Sequence, residues 1–248
     1  DTLVSFSHHA AIAIENARLY EETKCQAEEL RGSMERVRWL QLQRDKLGKY
    51  VPKSVIEDIE RNREQALAAT TRTVECTILF ADIEGFTRIS ESSEPTTLVR
   101  MLNRYHSVTH EVIEGNDGVL DKYMGDGTMA IFLAAEGADD HPLRAVRCAV
   151  AMQRAVADLE AEWREAGMGA LNVRVGVNLG NVISGSIGAE KRMDYTVVGD
   201  PVNVASRLES NSRAGEVLIS DSVYQRVQAE IPAEKLKPLY VKNRTQPV

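Results

Sequence analysis

Two stretches of the chain combine apolar runs with an acidic residue beside glycine. In Thr77–Thr87, the uninterrupted apolar run at positions 78–81 ends at Asp82, and in Leu120–Phe132 the apolar residues are interrupted by Gly125-Asp126-Gly127. A short continuous apolar run is typical of a strand buried on both faces. Asp-Gly between two β-like runs predicts a tight hairpin turn. We therefore predict a buried strand ending at Asp82 and a neighbouring hairpin that carries Asp126.

The rest of the C-terminal two thirds alternates between helical and strand patterns. Apolar residues at helical spacing predict helices over Thr87–Gly115 and Pro142–Glu162. Leu171–Leu179 alternates as a strand, and Gly180–Gly188 is predicted to be a loop followed by a second strand. This arrangement around βαβ units indicates an α+β class with a ferredoxin-like βαββαβ core. The remaining predicted elements are strands Asp194–Val198, Glu216–Ser220 and Leu236–Lys242, and helices Val202–Asn211 and Asp221–Ala229.

The N-terminal part of the chain has a different pattern. Good helix formers predict a helix over Phe6–Glu22, and Glu21–Leu47 continues it as a charged helix. We interpret this N-terminal coiled-coil helix as the stalk of a parallel dimer; the alternative is a long helix packed on its own domain. Gly48–Pro52 ends the helix, and a short helix is predicted over Lys53–Arg61. The coiled-coil seam follows from apolar residues in steps of three and four, at Ala27, Leu30, Met34 and Val37.

Composition and charge narrow the possible functions. The chain has 248 residues, is 43% apolar and carries a net charge of −7. A nucleic-acid-binding domain normally presents a basic face, so we expect no nucleic-acid partner. No apolar stretch reaches the length of a transmembrane helix, and no signal peptide is visible. Cys25, Cys76 and Cys148 are scattered and odd in number, which indicates reduced thiols and a cytoplasmic location. The chain begins at Asp1 rather than at methionine, so we interpret it as part of a longer protein.

Two pairs of polar residues are candidates for chemistry. Asp82 and Asp126, held at adjacent strand ends, would provide oxygen ligands for a hard divalent cation such as Mg²⁺. The alternative for Asp126 is an ordinary turn residue. Asn203 and Arg207 lie one helical turn apart, so they project from one face of the predicted helix. They either converge on a substrate or form a polar pair on the surface.

Four segments together resemble the core motifs of class III nucleotide cyclases, which make cyclic AMP or cyclic GMP. They are FADIEGFT, LDKYMGDGTMAIF, RVGVNLGNVISGSIG and DYTVVGDPVNVASRLE, in the same order as in the family. The resemblance implies a cyclase catalytic domain over residues 72–248. Near the N-terminus, HHAAIAIENARLYEE resembles the last helix of a GAF sensor domain. This implies that residues 1–22 end such a domain and that residues 23–71 are a coiled-coil and helical linker.

The resemblance also implies how individual residues bind metal and phosphate. Asp82 and Asp126 would hold two Mg²⁺ or Mn²⁺ ions per site, with the main-chain carbonyl of Ile83 as a further ligand. The main-chain N–H groups of Gly85-Phe86-Thr87 would bind phosphate, and Gly85 would allow the close approach. Lys242 would hold the terminal phosphates.

The same resemblance assigns the ribose, the transition state and the base. Asn203 would orient the ribose, and Arg207 would stabilise the transition state at the α-phosphate. Lys122 and Thr196 would bind the base: adenylate-forming members pair a lysine with an aspartate here, and one bacterial subgroup has threonine. Guanylate-forming members have glutamate and cysteine at these two positions, and this chain has neither there, so ATP is favoured over GTP. The threonine subgroup is associated with stimulation by bicarbonate or CO₂.

The implied enzyme is an adenylate cyclase that converts ATP to 3′,5′-cyclic AMP and pyrophosphate. In the family, the metal-binding aspartates lie on one subunit while Asn203 and Arg207 reach in from the other, so the resemblance implies a homodimer with shared sites. The alternatives are a guanylate cyclase and a catalytically silent module that only binds nucleotide or only dimerises. A competent residue stands at every implied functional position, which argues against the silent module.

Overall fold

A long helix forms a unit of its own at the N-terminus. The computed structural model describes residues 2–48, 71–134, 139–189 and 192–238. The chain divides into two compact units, Asp1–Ile56 and Glu57–Val248. Helix α1, Thr2–Gly48, is uninterrupted. Side chains of the predicted seam are open to solvent, with Leu30 63% and Met34 65% exposed. The predicted helix Lys53–Arg61 lies outside the described residues.

The second unit is built on a six-stranded sheet with the order β2-β3-β1-β4-β5, in which β6 pairs with β4. The five strands of the main order pair antiparallel, and β6 runs parallel to β4. Strands β1 to β4 and the helices between them follow the βαββαβ order, so the predicted α+β class and ferredoxin-like core are confirmed. The strands are β1 (Arg72–Ile83), β2 (Val119–Met124), β3 (Gly127–Leu133), β4 (Val173–Ala189), β5 (Arg192–Val198) and β6 (Val217–Ile219).

Helices cover both faces of the sheet. The predicted helix Thr87–Gly115 is divided into two because Pro95 starts a new helix, and the Glu94 carboxylate accepts hydrogen bonds from the N–H groups of Thr96 and Thr97 at 3.0 and 2.8 Å. A hydrogen bond from the Thr96 hydroxyl, together with these two N–H groups, lowers the pKa of Glu94 to about 2. The helices of this unit are α2 (Phe86–Ser92), α3 (Pro95–Gly115), α4 (His141–Glu165), α5 (Asp200–Asn211) and α6 (Asp221–Val227).

Alternate residues of β1 enter two separate apolar cores. Leu79, Ala81 and Ile83 join the larger core, together with buried residues of α3, α4 and α6. Ile78 and Phe80 point to the opposite face, where a smaller core includes Ala205 of α5. Burial on both faces explains why the sequence of β1 is continuously apolar.

Strand β4 is longer than the sequence predicts. It is a single strand of 17 residues, whereas we predicted a strand ending at Leu179, then a loop and a second strand. The prediction was wrong because Gly180 is not a turn residue: it pairs with Cys76 of β1, and a Cβ at this position would lie 2.6 Å from Cγ of Pro201 in α5. The glycine makes room for a helix. Of the predicted last strand, Leu236–Lys242, only residues 236–238 are described, and they are not in a strand.

Candidate active site

Asp82 and Asp126 lie side by side. Asp82 is near the end of β1, and Asp126 lies in the turn between β2 and β3, where Gly125 has a φ of 71° as a tight hairpin requires. Pairing of Ala81 with Thr128 brings this turn beside Asp82. Burial, a hydrogen bond with the Asp82 carboxyl group and the negative charge of Asp82 raise the pKa of Asp126 to about 7.

This pair of carboxylates fits a divalent cation. Two like charges at hydrogen-bonding distance repel each other, and a cation between them would remove that repulsion. Oxygen atoms are the ligands that Mg²⁺ and Mn²⁺ prefer. Ile83 follows Asp82 directly, and its N–H donates to the Asp126 carboxylate. This hydrogen bond lowers the pKa of Asp126, whereas burial and Asp82 raise it by more. The main-chain carbonyl of Ile83, the third predicted metal ligand, is therefore in the same segment of chain as Asp82.

Arg174 joins Asp82 to a second acidic residue that we did not predict. Its Nη2 atom is 3.1 Å from Oδ2 of Asp82 and 3.2 Å from Oε1 of Glu209 in α5. The Glu209 side chain is only 8% exposed, and burial raises its pKa. The sequence does contain a signal for Arg174, since it is the one charged residue in the apolar run VRVGV. Its pairing with Asp82 across β1 and β4 is visible only in the structure.

The segment Gly85-Phe86-Thr87 follows the metal-site candidates Asp82 and Ile83 after one intervening residue. Gly85 has a φ of 70°, a left-handed conformation that favours glycine, and it precedes helix α2. Phe86 and Thr87 are the first two residues of that helix, where main-chain N–H groups have no partner within the helix. N–H donors that have no partner within their helix therefore lie close to Asp82 in the chain.

Lys122 and Thr196 meet at a third residue, Asp121. The Nζ atom of Lys122 is 3.4 Å from Oδ2 of Asp121, and the hydroxyl of Thr196 donates to the same oxygen at 2.8 Å. The Asp121 side chain is 2% exposed, whereas that of Lys122 is 36% exposed. Burial raises the pKa of Asp121, and the Thr196 hydrogen bond and the Lys122 charge act in the opposite direction.

The contact between Asp121 and Thr196 requires a strongly coiled sheet. β2 and β5 are at opposite ends of the strand order. In a flat sheet, four steps of about 4.8 Å would hold them roughly 19 Å apart. β4 makes the approach possible because it pairs with β1 only as far as Ser184, whereas its pairing with β5 runs on to Ala189 and includes Gly185 opposite Thr196. A bulge also shifts the register of β2 between Leu120 and Lys122, at Asp121 itself.

Asn203 and Arg207 lie one turn apart on α5, Asn203 exposed and Arg207 half-buried. Within the described part of the chain, no hydrogen bond or ion pair links either side chain to Asp82 or Asp126. Helix α5 is held close to the sheet at Gly176 of β4. Lys242 lies outside the described residues.

Two other polar clusters contain none of the predicted site residues. The ring of His106 is 4.1 Å from the ring of Tyr123, and its Nε2 is 3.0 Å from the carbonyl oxygen of Gly125 in the hairpin turn. The second cluster brings ligand atoms of Glu75, Asp139 and His141 within 4.8 Å of one another. This spacing would suit a metal ion, but the Arg226 guanidinium already pairs with both of its carboxylates.

The second unit has an antiparallel ferredoxin-like core with two adjacent carboxylates at one strand end. A lysine and a hydroxyl lie on the two outer strands, which approach each other because the sheet coils. This combination is typical of nucleotide cyclase domains. The family model described as the adenylate and guanylate cyclase catalytic domain matches residues 68–248. The chain belongs to this class III cyclase family.

Known relatives include both adenylate and guanylate cyclases. Adenylate cyclase 1 of Rhizobium meliloti is 34% identical over 193 residues, which is 77% of this chain but only 28% of that protein. The crystal structure of the adenylyl cyclase CyaB from P. aeruginosa is 36% identical with a TM-score of 0.69, covering 72% of this chain and 92% of that one. The guanylyl cyclase Cya2 is 34% identical with a TM-score of 0.67, over 72% and 90% of the two chains.

Proposed function

We propose that this chain is the catalytic part of an adenylate cyclase that converts ATP to 3′,5′-cyclic AMP and pyrophosphate. The observation that carries the proposal is the meeting of Lys122 and Thr196 at Asp121. An ammonium donor and a hydroxyl acceptor at neighbouring positions match N1 and the 6-amino group of adenine. Adenylate cyclases among the relatives support the same substrate.

The reaction is attack of the ribose 3′-oxygen on the α-phosphorus with loss of pyrophosphate. Asp82, Asp126 and the carbonyl of Ile83 would hold two Mg²⁺ or Mn²⁺ ions, which lower the pKa of the 3′-hydroxyl and neutralise phosphate charge when bound. The N–H groups of Gly85-Phe86-Thr87 donate to phosphate oxygens. Ordered donors of this kind need no reorganisation as charge develops.

The remaining residues orient the nucleotide. Asn203 hydrogen-bonds the ribose, and Arg207 stabilises the charge that builds at the α-phosphate. Lys242 holds the terminal phosphates of the leaving pyrophosphate. Lys122 and Thr196 fix the base, so that the 3′-oxygen is aligned with the phosphorus.

We propose that two copies of the chain share each site. Asp82 and Asp126 of one protomer act with Asn203 and Arg207 of its partner. Apolar side chains on β2, β4 and β5 support a dimer, because they are exposed in the single chain and association would bury them: Tyr123 is 42% exposed, Ile183 47% and Met193 48%.

The N-terminal part would couple this dimer to a sensor. In this proposal, residues 1–22 end a GAF-type domain, and the exposed seam of α1 pairs with that of a second copy as a parallel coiled coil. Bicarbonate or CO₂ is the proposed regulator of the catalytic part. We place the protein in the cytoplasm, consistent with three free cysteines. Among the described helices, none is sufficiently long and apolar to span a membrane.

The test is product formation from ATP and, separately, from GTP, with Mn²⁺ and then Mg²⁺, resolved by chromatography. Cyclic AMP from ATP, abolished by Asp82→Ala, is the expected result. Cyclic GMP as the main product would favour the guanylate cyclase reading, to which the likeness to Cya2 points. No cyclic product from a dimeric protein would refute the proposed reaction.

Shared sites are tested by mixing two inactive variants. Asp82→Ala and Arg207→Ala proteins should each be inactive, and a mixed dimer should recover one intact site out of two. Failure to recover activity, with subunit exchange verified by two different affinity tags, would refute shared sites without affecting the assignment of the reaction.

A further inference from the structure

The mechanism above assigns no task to Asp121, yet this residue is the most buried charged group next to the proposed base pocket. Its side chain is 2% exposed and its Oδ2 atom contacts both Lys122 and Thr196. A buried carboxylate is costly unless it is paired. Here one oxygen accepts a hydrogen bond from an uncharged hydroxyl and faces an ammonium group at 3.4 Å.

A threonine hydroxyl alone does not distinguish adenine from guanine. It has one proton to donate and lone pairs that accept. It could therefore accept from the 6-amino group of adenine or donate to O6 of guanine. An ionised carboxylate is acceptor-only, so a hydroxyl bound to it must be the donor. With its proton committed to Asp121, the Thr196 oxygen has only lone pairs left for the base.

We propose that Asp121 is a positioning residue that sets nucleotide preference by fixing the direction of the Thr196 hydroxyl. This inference rests on the proposed adenylate cyclase function. The committed hydroxyl accepts from the adenine amino group and repels the O6 oxygen of guanine. Lys122, held on the same carboxylate, donates to N1 of adenine and opposes the N1–H of guanine. Asp121 and Thr196 together thus supply the acceptor that an aspartate alone supplies in other adenylate-forming enzymes.

The test is Asp121→Asn, which preserves the size of the side chain. An amide can donate to the Thr196 oxygen and release the hydroxyl proton toward guanine. We expect the ratio of kcat/KM for ATP to kcat/KM for GTP to fall about tenfold, the size of one charge-assisted hydrogen bond. The matched control is Asp158→Asn on the exposed surface of α4, which should leave the ratio unchanged. A ratio within twofold of wild type in Asp121→Asn would overturn the inference.

A double-variant cycle separates positioning from a general loss of structure. Thr196→Val removes the hydroxyl at nearly constant size and should lower the ratio by a similar factor, even if Asp121→Asn does not fold. In the Thr196→Val background, Asp121→Asn should change the ratio much less than it does in wild type. Equal effects in both backgrounds would show that Asp121 does not act through Thr196, and would overturn the inference.

Binding distinguishes failure of the inference from failure of the proposed function. If the wild-type chain cyclises neither nucleotide, the proposed function fails. Calorimetry with 3′-deoxyATP and 3′-deoxyGTP, which lack the attacking hydroxyl, then decides. A wild-type preference for the adenine analogue that is lost in Asp121→Asn supports the inference, whereas a preference that persists, or none in wild type, overturns it.

Discussion

Gly176→Ala tests how tightly helix α5 must sit on the sheet. A Cβ added to Gly176 would lie 2.1 Å from the main-chain N of Glu209 and 2.4 Å from the carbonyl oxygen of Ala205, both in α5. The strand cannot yield easily, because Gly176 is paired with Phe80 on one side and Leu218 on the other. Since nonbonded atoms prefer about 3.5 Å, the helix must retreat by roughly 1 Å.

This displacement should affect both stability and activity. Overpacking of this kind costs about 1–3 kcal/mol in the free energy of unfolding. Because α5 carries Asn203 and Arg207, we expect kcat for ATP to fall about a hundredfold, as misplacement by 1 Å typically does. Urea unfolding followed by the fluorescence of the buried Trp163 measures the first effect, and steady-state kinetics the second.

The matched control is the same substitution where nothing is in the way. A Cβ at Gly115, the last residue of α3, would have no heavy atom within 4 Å. Gly115→Ala should leave kcat unchanged and should not lower the free energy of unfolding. If Gly176→Ala retains kcat within threefold and unfolds at the same urea concentration as wild type, the close approach of α5 does not position the site.

Three further predictions concern charged groups. Arg174→Met should lower the free energy of unfolding by about 1–3 kcal/mol, measured in urea, because Glu209 stays buried without its ion pair; no loss would mean that the Arg174 contacts contribute nothing. Burial lowers the pKa of His141 in the folded chain. Below about pH 6.5 the unfolded chain therefore binds a proton at this histidine more readily than the folded chain does, and the free energy of unfolding falls as the pH falls. The stability of wild type relative to His141→Gln should therefore decrease from pH 7.5 to pH 5, and a constant difference would contradict the neutral histidine. Millimolar Mn²⁺ should raise the melting temperature of wild type, EDTA should reverse the rise, and Asp126→Asn should show neither effect if Asp126 is a ligand.

Local sequence signals predicted the elements that carry the site. The apolar run before Asp82 predicted a strand buried on both faces, and residues 76–81 are all buried. Asp-Gly predicted the hairpin between β2 and β3, which the pairing of Met124 with Gly127 confirms. In both cases the signal and the structure it predicts lie within a few residues, so propensity and turn geometry decide the outcome.

Glycine was the main source of error in the fold. Gly125 and Gly180 both interrupt β-like runs, but only Gly125 adopts a left-handed φ and forms a turn. Gly180 stays extended within β4 because Pro201 occupies the space where a side chain would be. Sequence alone does not distinguish a glycine that bends the chain from one that admits a neighbouring helix, because the neighbour is distant in sequence.

The contacts that complete the candidate site depend on long-range geometry. Arg174 reaches Asp82 through the register of β1 and β4, α5 reaches the sheet because Gly176 has no side chain, and Asp121 reaches Thr196 because the sheet coils. The motif residues are therefore necessary for the proposed chemistry, but their identity does not determine their hydrogen-bonding state. Thr196 illustrates this: in sequence it is an ambiguous hydroxyl, and in the fold its only proton is bound by a carboxylate 75 positions away. A chain with the same Lys122 and Thr196 but a neutral residue at position 121 should be a less selective enzyme.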